Sequence, residues 1–228
     1  MRRRVYLLRH AEVSYFPGGK PVQPTTVKLT DRGRKQALAA ADALSEVEID
    51  RVVTSGLPRT IETAELALGG RELEIGVEPE FEEIRGGSFA KIDPQQIRDA
   101  FMGAMQVTSP GEARFFGGES FGELAARVVP AWEKLMGESG WETLLLVAHG
   151  AVNRVIIAHV LGADAHVYGK LEQDPACINI LDCPVPGSAD PRSRYVVRGI
   201  NITPYNEVKN GIYDTTMEGL WKNFMGEK

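Results

Sequence analysis

The sequence predicts an α/β fold, in which a mainly parallel sheet carries helices on both faces and one loop-and-helix insertion. Short apolar segments alternate with segments of helical periodicity along the chain, and strands covered on both faces are continuous apolar runs. The length of 228 residues suits one compact domain, residues 1–228. Because 43% of the residues are hydrophobic and 25% are charged, an ordinary globular core is expected.

The first elements are two strands separated by a helix. Residues 5–8 (VYLL) are a short apolar run typical of a buried strand. Residues 29–47 predict a helix, because Thr30 or Asp31 can cap it and apolar residues recur at helical spacing. Residues 49–54 predict the second strand.

A proline and a pair of glycines delimit the next helix. Pro58 stands at an expected first helical position, and Gly69 and Gly70 end the helical segment 58–68. Residues 73–77 predict the third strand.

The regular pattern then weakens between residues 80 and 118, where glycines and prolines recur. One helix is predicted there, at 94–105. We expect a lid-like insertion over about 85–118, not a separate domain.

The second half of the chain returns to regular structure. We predict a helix at residues 119–136, a strand at 143–148 and a second helix at 151–162. Two further strands are predicted at 176–181 and 195–200. The tail 204–228 is mixed and polar, with Leu220 and Trp221 as one docking point, so it predicts no further element.

Composition argues against several classes of protein. The formal net charge is −5 and the basic run is only Arg2 to Arg4, whereas nucleic-acid binders usually carry a basic surface. The apolar stretch near the N-terminus is four residues long, too short for a signal peptide or a membrane span. Cys177 and Cys183 lack CxxC spacing, which favours buried thiols over a disulfide or zinc site. A cytoplasmic protein without nucleic-acid or membrane partners is expected.

Chemistry-bearing side chains follow four of the predicted strands, where ligands bind in α/β sheets. They are His10, His149, Arg9, Arg59 and one of Glu82 and Glu83. Singly, each has an ordinary explanation; Arg59, for example, could pair with Glu62 or Glu65 on a solvated helix face. The functional prediction rests on their shared position.

This set matches the needs of phosphoryl transfer. Arginines supply forked donors for phosphate oxygens, a neutral histidine can attack phosphorus, and a carboxylic acid can protonate the leaving group. The sequence has no HExxH, no GxxxxGK and no DxD-type cluster. Chemistry without a metal or cofactor is therefore predicted.

Six segments, in order along the chain, resemble the motifs of the histidine phosphatase superfamily, which includes cofactor-dependent phosphoglycerate mutases and many small phosphatases. They are LLRHAEV (7–13), LTDRGRKQA (29–37), SGLPRTIETA (55–64), FEEIRGGSF (81–89), GGESFGELAARV (117–128) and LLVAHGAVNR (145–154). The RHA stretch alone is a weak signal, but six motifs in the family's order are a strong one.

The resemblance implies a role for each residue. His10 would be the phosphorylated nucleophile, and the phosphate pocket would consist of Arg9, Arg59 and His149. Glu83 would be the proton donor, preferred over Glu82 because Ile84 and Gly87 bring it into the family's register.

Departures from the mutase pattern favour hydrolysis. Ala11 replaces the commoner glycine, a change that the family often carries. Phe16 stands where mutases tend to have a phosphate-contacting asparagine, and Arg85, Gly86 and Gly87 do not match the mutases' Glu-Arg-His-Tyr-Gly segment. We therefore predict a phosphatase, with a mutase as the alternative and a non-catalytic binding member of the family as a weaker one.

The substrate is predicted from the insertion, which is rich in aromatic and methionine side chains and poor in cations. These are Phe89, Phe101, Met102, Met105, Phe115 and Phe116, against Lys91, Arg98 and Arg114. A phosphomonoester with an apolar or mixed organic part is favoured, unless the aromatics only pack the lid. The expected substrate contacts are Phe16, Arg85, Arg114 and Phe115.

Phosphorylated proteins remain alternative substrates. A homodimer is expected only because dimers are the commonest oligomers.

Overall fold

The computed structural model describes residues 2–17, 22–87 and 114–225. Within these ranges six strands form one sheet: β1 (Arg2–Arg9), β2 (Arg51–Thr54), β3 (Ile75–Val77), β4 (Thr143–Ala148), β5 (Ile178–Pro184) and β6 (Val196–Ile202). The α-helices are α1 (Asp31–Ala43), α2 (Pro58–Ala67), α3 (Phe121–Gly137), α4 (Gly150–Leu161) and α5 (Thr216–Met225). Short 3₁₀ turns cover Pro79–Phe81, Phe115–Gly117 and Ala165–Lys170.

The strand order is β3-β2-β4-β1-β5-β6. The first four strands in this order are parallel to one another, which confirms the mainly parallel sheet. β5 and β6 run antiparallel to their neighbours. Antiparallel neighbours can be joined without a crossover, and the Pro/Gly-rich loop 185–195 joins β5 to β6 directly.

The central strand β4 shows why both faces of the sheet carry helices. Leu144 and Leu146 pack in the cluster that contains Trp132 of α3, together with residues of α4. Leu145 and Val147 pack in a second cluster, with residues of α1 and α2. Since side chains alternate along a strand, an uninterrupted apolar run must be covered on both sides.

Local capping explains where the helices begin. Of the two candidate caps of α1, the structure selects Thr30, whose hydroxyl accepts from the Gly33 N–H. Ser120 and Glu123 form a capping box, so α3 begins at Phe121 and not at the predicted residue 119.

Two predictions need correction. α5 lies in the tail, where no element was predicted, and Leu220 and Trp221 of this helix are partly buried. β5 begins at Ile178, two residues later than predicted, because Ala176 has a φ of 53° that belongs to a turn. The predicted helix 94–105 and most of the insertion lie outside the described residues.

Two further findings concern the described helices and the two cysteines. In the described part of the chain, no helix has the length and apolar character needed to cross a membrane. Cys177 and Cys183 are free and buried, and burial raises the pKa of each thiol to about 12. Buried, protonated thiols are structural, as predicted.

Candidate active site

Two histidines meet where adjacent parallel strands end. β1 pairs with β4 in a register that sets Arg9 opposite Ala148, and the next residue of each strand is a histidine. The ring centroids of His10 and His149 are 5.2 Å apart. Their exposed fractions are 2% and 0%. The sheet therefore brings together two residues that are 139 positions apart in the sequence.

His10 is held as a neutral imidazole with one free lone pair. Its Nδ1 lies 2.8 Å from the carbonyl oxygen of Ala11, and because a carbonyl only accepts, Nδ1 carries the proton. Burial, followed by the charges of Arg59 and Arg9, holds the pKa of His10 well below its usual value. Nε2 thus keeps an unprotonated lone pair at neutral pH, the state a nucleophile requires.

His149 is neutral as well, with the opposite tautomer. Arg59 Nη2 lies 3.2 Å from Nδ1 of His149, and since guanidinium only donates, Nδ1 accepts and Nε2 carries the proton. Nε2–H donates to Ser55 Oγ at 2.8 Å, Ser55 to Thr60 Oγ1 at 3.0 Å, and Thr60 to the Leu57 carbonyl at 2.8 Å. Burial, then the charge of Arg59, keeps the pKa of His149 well below its usual value.

Arg9 and Arg59 are buried beside the histidines, with exposed fractions of 7% and 2%. Arg59 Nη1 donates to the Pro24 carbonyl at 2.7 Å. The Nε atoms of both arginines are buried and have no hydrogen-bond partner among the residues described. Buried donors in that state are costly, and the oxygens of a bound phosphate are suitable acceptors.

The ordinary explanation of Arg59 does not hold. Arg59 is buried and not on a solvated face, and Glu62, one of its two expected partners, binds Arg34 through Oε1 at 2.8 Å. One turn after Arg59, Thr63 donates to the Arg59 carbonyl and accepts from the Ala11 N–H at 3.0 Å. α2 therefore fixes the loop that follows β1 next to the arginine.

The sequence analysis did not single out Arg154, a third buried arginine. A Cβ atom on Gly150 would lie 3.1 Å from Arg154 Nη1 and 3.5 Å from Arg9 Nε, so the two guanidinium groups converge on this glycine. Arg154 is 4% exposed and pairs with Glu172 at 3.2 Å, while burial lowers its pKa. The sequence did hold one signal for Arg154, namely its position one helical turn after His149.

The carboxylate of Glu83 is anchored at the start of α4. Its Oε1 accepts from the Ile84 N–H at 3.0 Å and from the Ala151 N–H at 3.2 Å, so it lies next to the residues that follow His149. The neighbouring Glu82 faces Arg85, with an N–O distance of 3.9 Å. Of the two glutamates, Glu83 is the one that bonds the helix following His149.

A buried ion pair supports the segment that carries Glu83. Arg127 binds Glu119 at 2.7 Å and donates to the carbonyl oxygens of Glu80 and Glu83. Glu119 also accepts from the Arg85 N–H at 2.9 Å. Burial opposes ionisation, but these hydrogen bonds outweigh it and lower the pKa of Glu119.

Two glycines permit a close backbone approach behind Glu83. A Cβ atom on Gly87 would lie 2.1 Å from the Phe116 carbonyl, and one on Gly118 would lie 2.2 Å from the Arg85 carbonyl. The two segments therefore come together only because neither glycine has a side chain.

A cavity of about 640 Å³, which we call the site cavity, is lined by Arg9, Arg59, Glu83 and Arg154. Of the predicted substrate contacts, Phe16, Arg85 and Phe115 also line it. The structure does not bring Arg114 to it: that guanidinium binds Glu123 at 3.0 Å and the Gly118 carbonyl at 2.8 Å.

A second cavity of about 670 Å³ is lined by His10 and by Arg9, Tyr15, Phe16, Thr216 and Leu220, and the last five residues also line the site cavity. Tyr15 and Thr216 were missed in the sequence. Burial raises the pKa of Tyr15, and Arg59, Glu83 and Arg9 are the charged groups that act on it.

Among the residues that the structure describes, the other two histidines are paired with acidic side chains away from the candidate site. His166 pairs with Asp164 at 2.9 Å at the surface, and the partly buried His159 pairs with Glu133 at 3.6 Å. Across the described ranges, no three His, Cys, Asp or Glu side chains converge as metal ligands.

Comparison with known proteins identifies the family. The profile of the histidine phosphatase superfamily (branch 1) matches residues 5–187. This chain belongs to the histidine phosphatase superfamily.

Several known proteins resemble this chain. A probable 2-carboxy-D-arabinitol-1-phosphatase of Arabidopsis thaliana is 26% identical over 92% of this chain, which spans 44% of that relative's length. A probable phosphoglycerate mutase of Photorhabdus laumondii is 29% identical over 78% of this chain and 84% of its own. The structure of a mycobacterial glucosyl-3-phosphoglycerate phosphatase superposes with a TM-score of 0.70 at 26% identity, covering 88% of this chain and 99% of that one.

Proposed function

We propose that this histidine phosphatase hydrolyses a small phosphomonoester in two steps, without a metal, through a phosphohistidine on His10. The observation that carries the proposal is the state of His10. It is a buried neutral imidazole whose Nδ1–H donates a hydrogen bond to the Ala11 carbonyl. This leaves Nε2 as the atom that attacks phosphorus.

In the first step, Nε2 of His10 forms a bond to phosphorus while the bond from phosphorus to the ester oxygen breaks. The guanidinium groups of Arg9 and Arg59 bind the phosphoryl oxygens, where negative charge is concentrated in the transition state. Glu83 lines the same cavity and donates its proton to the departing alkoxide.

The second step regenerates the enzyme. Glu83, now a carboxylate, accepts a proton from a water molecule as that water attacks the phosphohistidine. The bond from Nε2 to phosphorus breaks, and inorganic phosphate leaves. His10 returns to its neutral tautomer because its proton stays on Nδ1 throughout, where it is hydrogen-bonded to the Ala11 carbonyl.

The relatives support phosphomonoester chemistry but not one substrate. Two of the three described above bear the names of phosphatases with different substrates, and one bears that of a mutase. Mutase activity is the second candidate. The phenyl ring of Phe16 lines the site cavity, where it offers no hydrogen bond to a second phosphate, and this favours hydrolysis.

Intact-mass measurement after rapid acid quench tests the mechanism with p-nitrophenyl phosphate as the substrate. The wild-type enzyme should gain one phosphoryl group, and turnover should continue in EDTA. His10→Ala should lose both the adduct and the turnover. Glu83→Gln should lose most turnover with this substrate and retain the adduct, because p-nitrophenolate leaves without a proton while hydrolysis of the adduct needs a base.

Three results would contradict the proposal: turnover that needs a divalent metal, turnover that survives His10→Ala, or faster phosphoryl transfer between phosphoglycerates than to water. The last would establish the mutase. A matched control is His166→Ala, which removes an exposed histidine and should change neither adduct nor turnover.

We also propose a cytoplasmic location, which the free, buried Cys177 and Cys183 support. A fluorescent fusion found outside the cytoplasm would contradict it.

A further inference from the structure

The site cavity extends beyond the predicted phosphate pocket into apolar surroundings. Large apolar side chains that line it are Leu57, Ile84, Phe115, Phe116, Met217 and Leu220. They come from the start of α2, the Glu83 segment, the turn before α3, and α5. A volume of about 640 Å³ exceeds what a phosphoryl group needs and lies in the range of pockets for small organic molecules.

The turn before α3 is built to present two aromatic rings. Phe115 and Phe116 have ring centroids 4.3 Å apart. Phe116 has a φ of 51°, a conformation that is unfavourable for a bulky residue. Such conformations persist where the surroundings enforce them, commonly at binding sites.

Helix α5 closes the same cavity, with Met217 and Leu220 in its lining. Its first residue, Thr216, accepts from Arg9 Nη1 at 2.9 Å and donates to Glu172 Oε1 at 2.8 Å. The apolar wall and the arginine of the predicted phosphate pocket are therefore held in one hydrogen-bonded arrangement.

Outside the predicted phosphate pocket, both arginines in the described lining have an acidic neighbour. Glu82 and Arg85 face each other at 3.9 Å, and Arg154 is paired with Glu172. A second phosphate or a carboxylate on the substrate would therefore meet no uncompensated cation among these side chains, and losing its water would be costly.

We propose that the site cavity binds the leaving group, and that the substrate is a monophosphate ester of an uncharged, largely apolar alcohol. This inference rests on the proposed function. An apolar leaving group gains free energy from every methylene removed from water, whereas a polyanionic one gains nothing there.

The test compares primary alkyl esters, whose leaving groups have similar intrinsic reactivity. From ethyl to n-butyl to n-hexyl phosphate, kcat/KM should rise about fourfold for each added methylene until the cavity is filled. 3-Phosphoglycerate should be the poorest substrate. A flat series, or a preference for 3-phosphoglycerate, would overturn the inference.

Two lysine variants show whether the chain-length dependence arises in the site cavity. Met217→Lys places a cation in the cavity lining and should reduce the gain per methylene while improving 3-phosphoglycerate. Leu38→Lys adds the same charge on α1, where Leu38 is 49% exposed, and should leave the series unchanged. Equal effects of the two variants would contradict the assignment.

Quench labelling of His10 with the same esters distinguishes failure of the apolar-pocket inference from failure of the proposed function. An adduct with a flat series would refute only the apolar pocket. No adduct with any ester would refute the proposed function and the pocket together.

Discussion

At the scale of single residues, tautomers decide what the two histidines can do. His10 donates from Nδ1 to a carbonyl, while His149 accepts at Nδ1 from Arg59. The two imidazole rings, 5.2 Å apart, therefore carry their lone pairs on different atoms: Nε2 in His10 and Nδ1 in His149. The sequence identified both histidines, but hydrogen bonds to neighbouring groups assign their roles.

Ser55 is the acceptor for the Nε2–H of His149, whose tautomer Arg59 fixes, so its removal tests this arrangement directly. Ser55→Ala leaves the buried Nε2–H of His149 without an acceptor, and the ring cannot switch tautomer because Nδ1 faces the Arg59 guanidinium. We expect the free energy of unfolding to fall by about 1–3 kcal/mol. We expect kcat/KM to fall roughly tenfold.

Urea unfolding and steady-state kinetics measure the two effects. Ser45→Ala is the matched control, since the Ser45 hydroxyl is exposed and bonds only the nearby Asp42 carbonyl. If Ser55→Ala behaved like Ser45→Ala, the chain of donors from His149 would not exist in solution.

At the scale of elements, the start of α3 carries two Arg–Glu pairs in very different surroundings. The Arg127–Glu119 pair is largely shielded from solvent, with side-chain exposures of 11% and 9%. The Arg114–Glu123 pair is exposed, at 54% and 53%. Breaking a buried pair leaves an uncompensated charge, whereas an exposed pair contributes little.

Glu119→Gln should therefore destabilise the protein by roughly 3 kcal/mol. It should also lower kcat, because Arg127 holds the carbonyl oxygens of the segment that carries Glu83. Glu123→Gln should cost much less, since the exposed pair contributes little and glutamine can still complete the capping box. Unfolding curves and kcat for the two variants, measured side by side, check this; equal losses would show that the buried pair does not support the segment.

Element prediction failed at α5 for a physical reason. The helix has no fully buried residue, and its position depends on the contact of Thr216 with Arg9, 207 residues away. Met217, Leu220, Trp221 and Phe224 do recur at helical spacing. A local signal was present: Thr215 and Glu218 exchange hydrogen bonds as a capping box. The same limit applies to Arg154 and Tyr15, whose distant partners in space no local spacing indicates.

At the scale of the whole molecule, the parallel part of the sheet was predictable because buried strands leave a continuous apolar run in the sequence. The site followed from the rule that such strands end at one edge, and His10, His149, Arg59 and Glu83 do lie together there. The apolar lining was only partly predictable, since it comes from segments far apart in the chain.

Burying two neutral histidines makes the stability of the molecule depend on pH. Burial lowers the pKa of both His10 and His149 well below the usual value of 6.5. Above about pH 6.5 neither state binds these protons and stability is complete. Below it the unfolded chain takes up protons that the folded protein does not, so the free energy of unfolding falls with pH.

Between pH 7.5 and 5.5 we expect a loss of up to about 3 kcal/mol, measured by urea unfolding. His10→Gln should reduce the loss to about half, because only His149 then remains as a buried neutral imidazole. Carboxylates such as Glu119 titrate below this window in the unfolded chain, so they do not obscure the result. A wild-type stability that stays constant or rises as the pH is lowered would mean that the buried histidines are protonated in the folded protein. His10 would then lack the lone pair that the proposed first step requires.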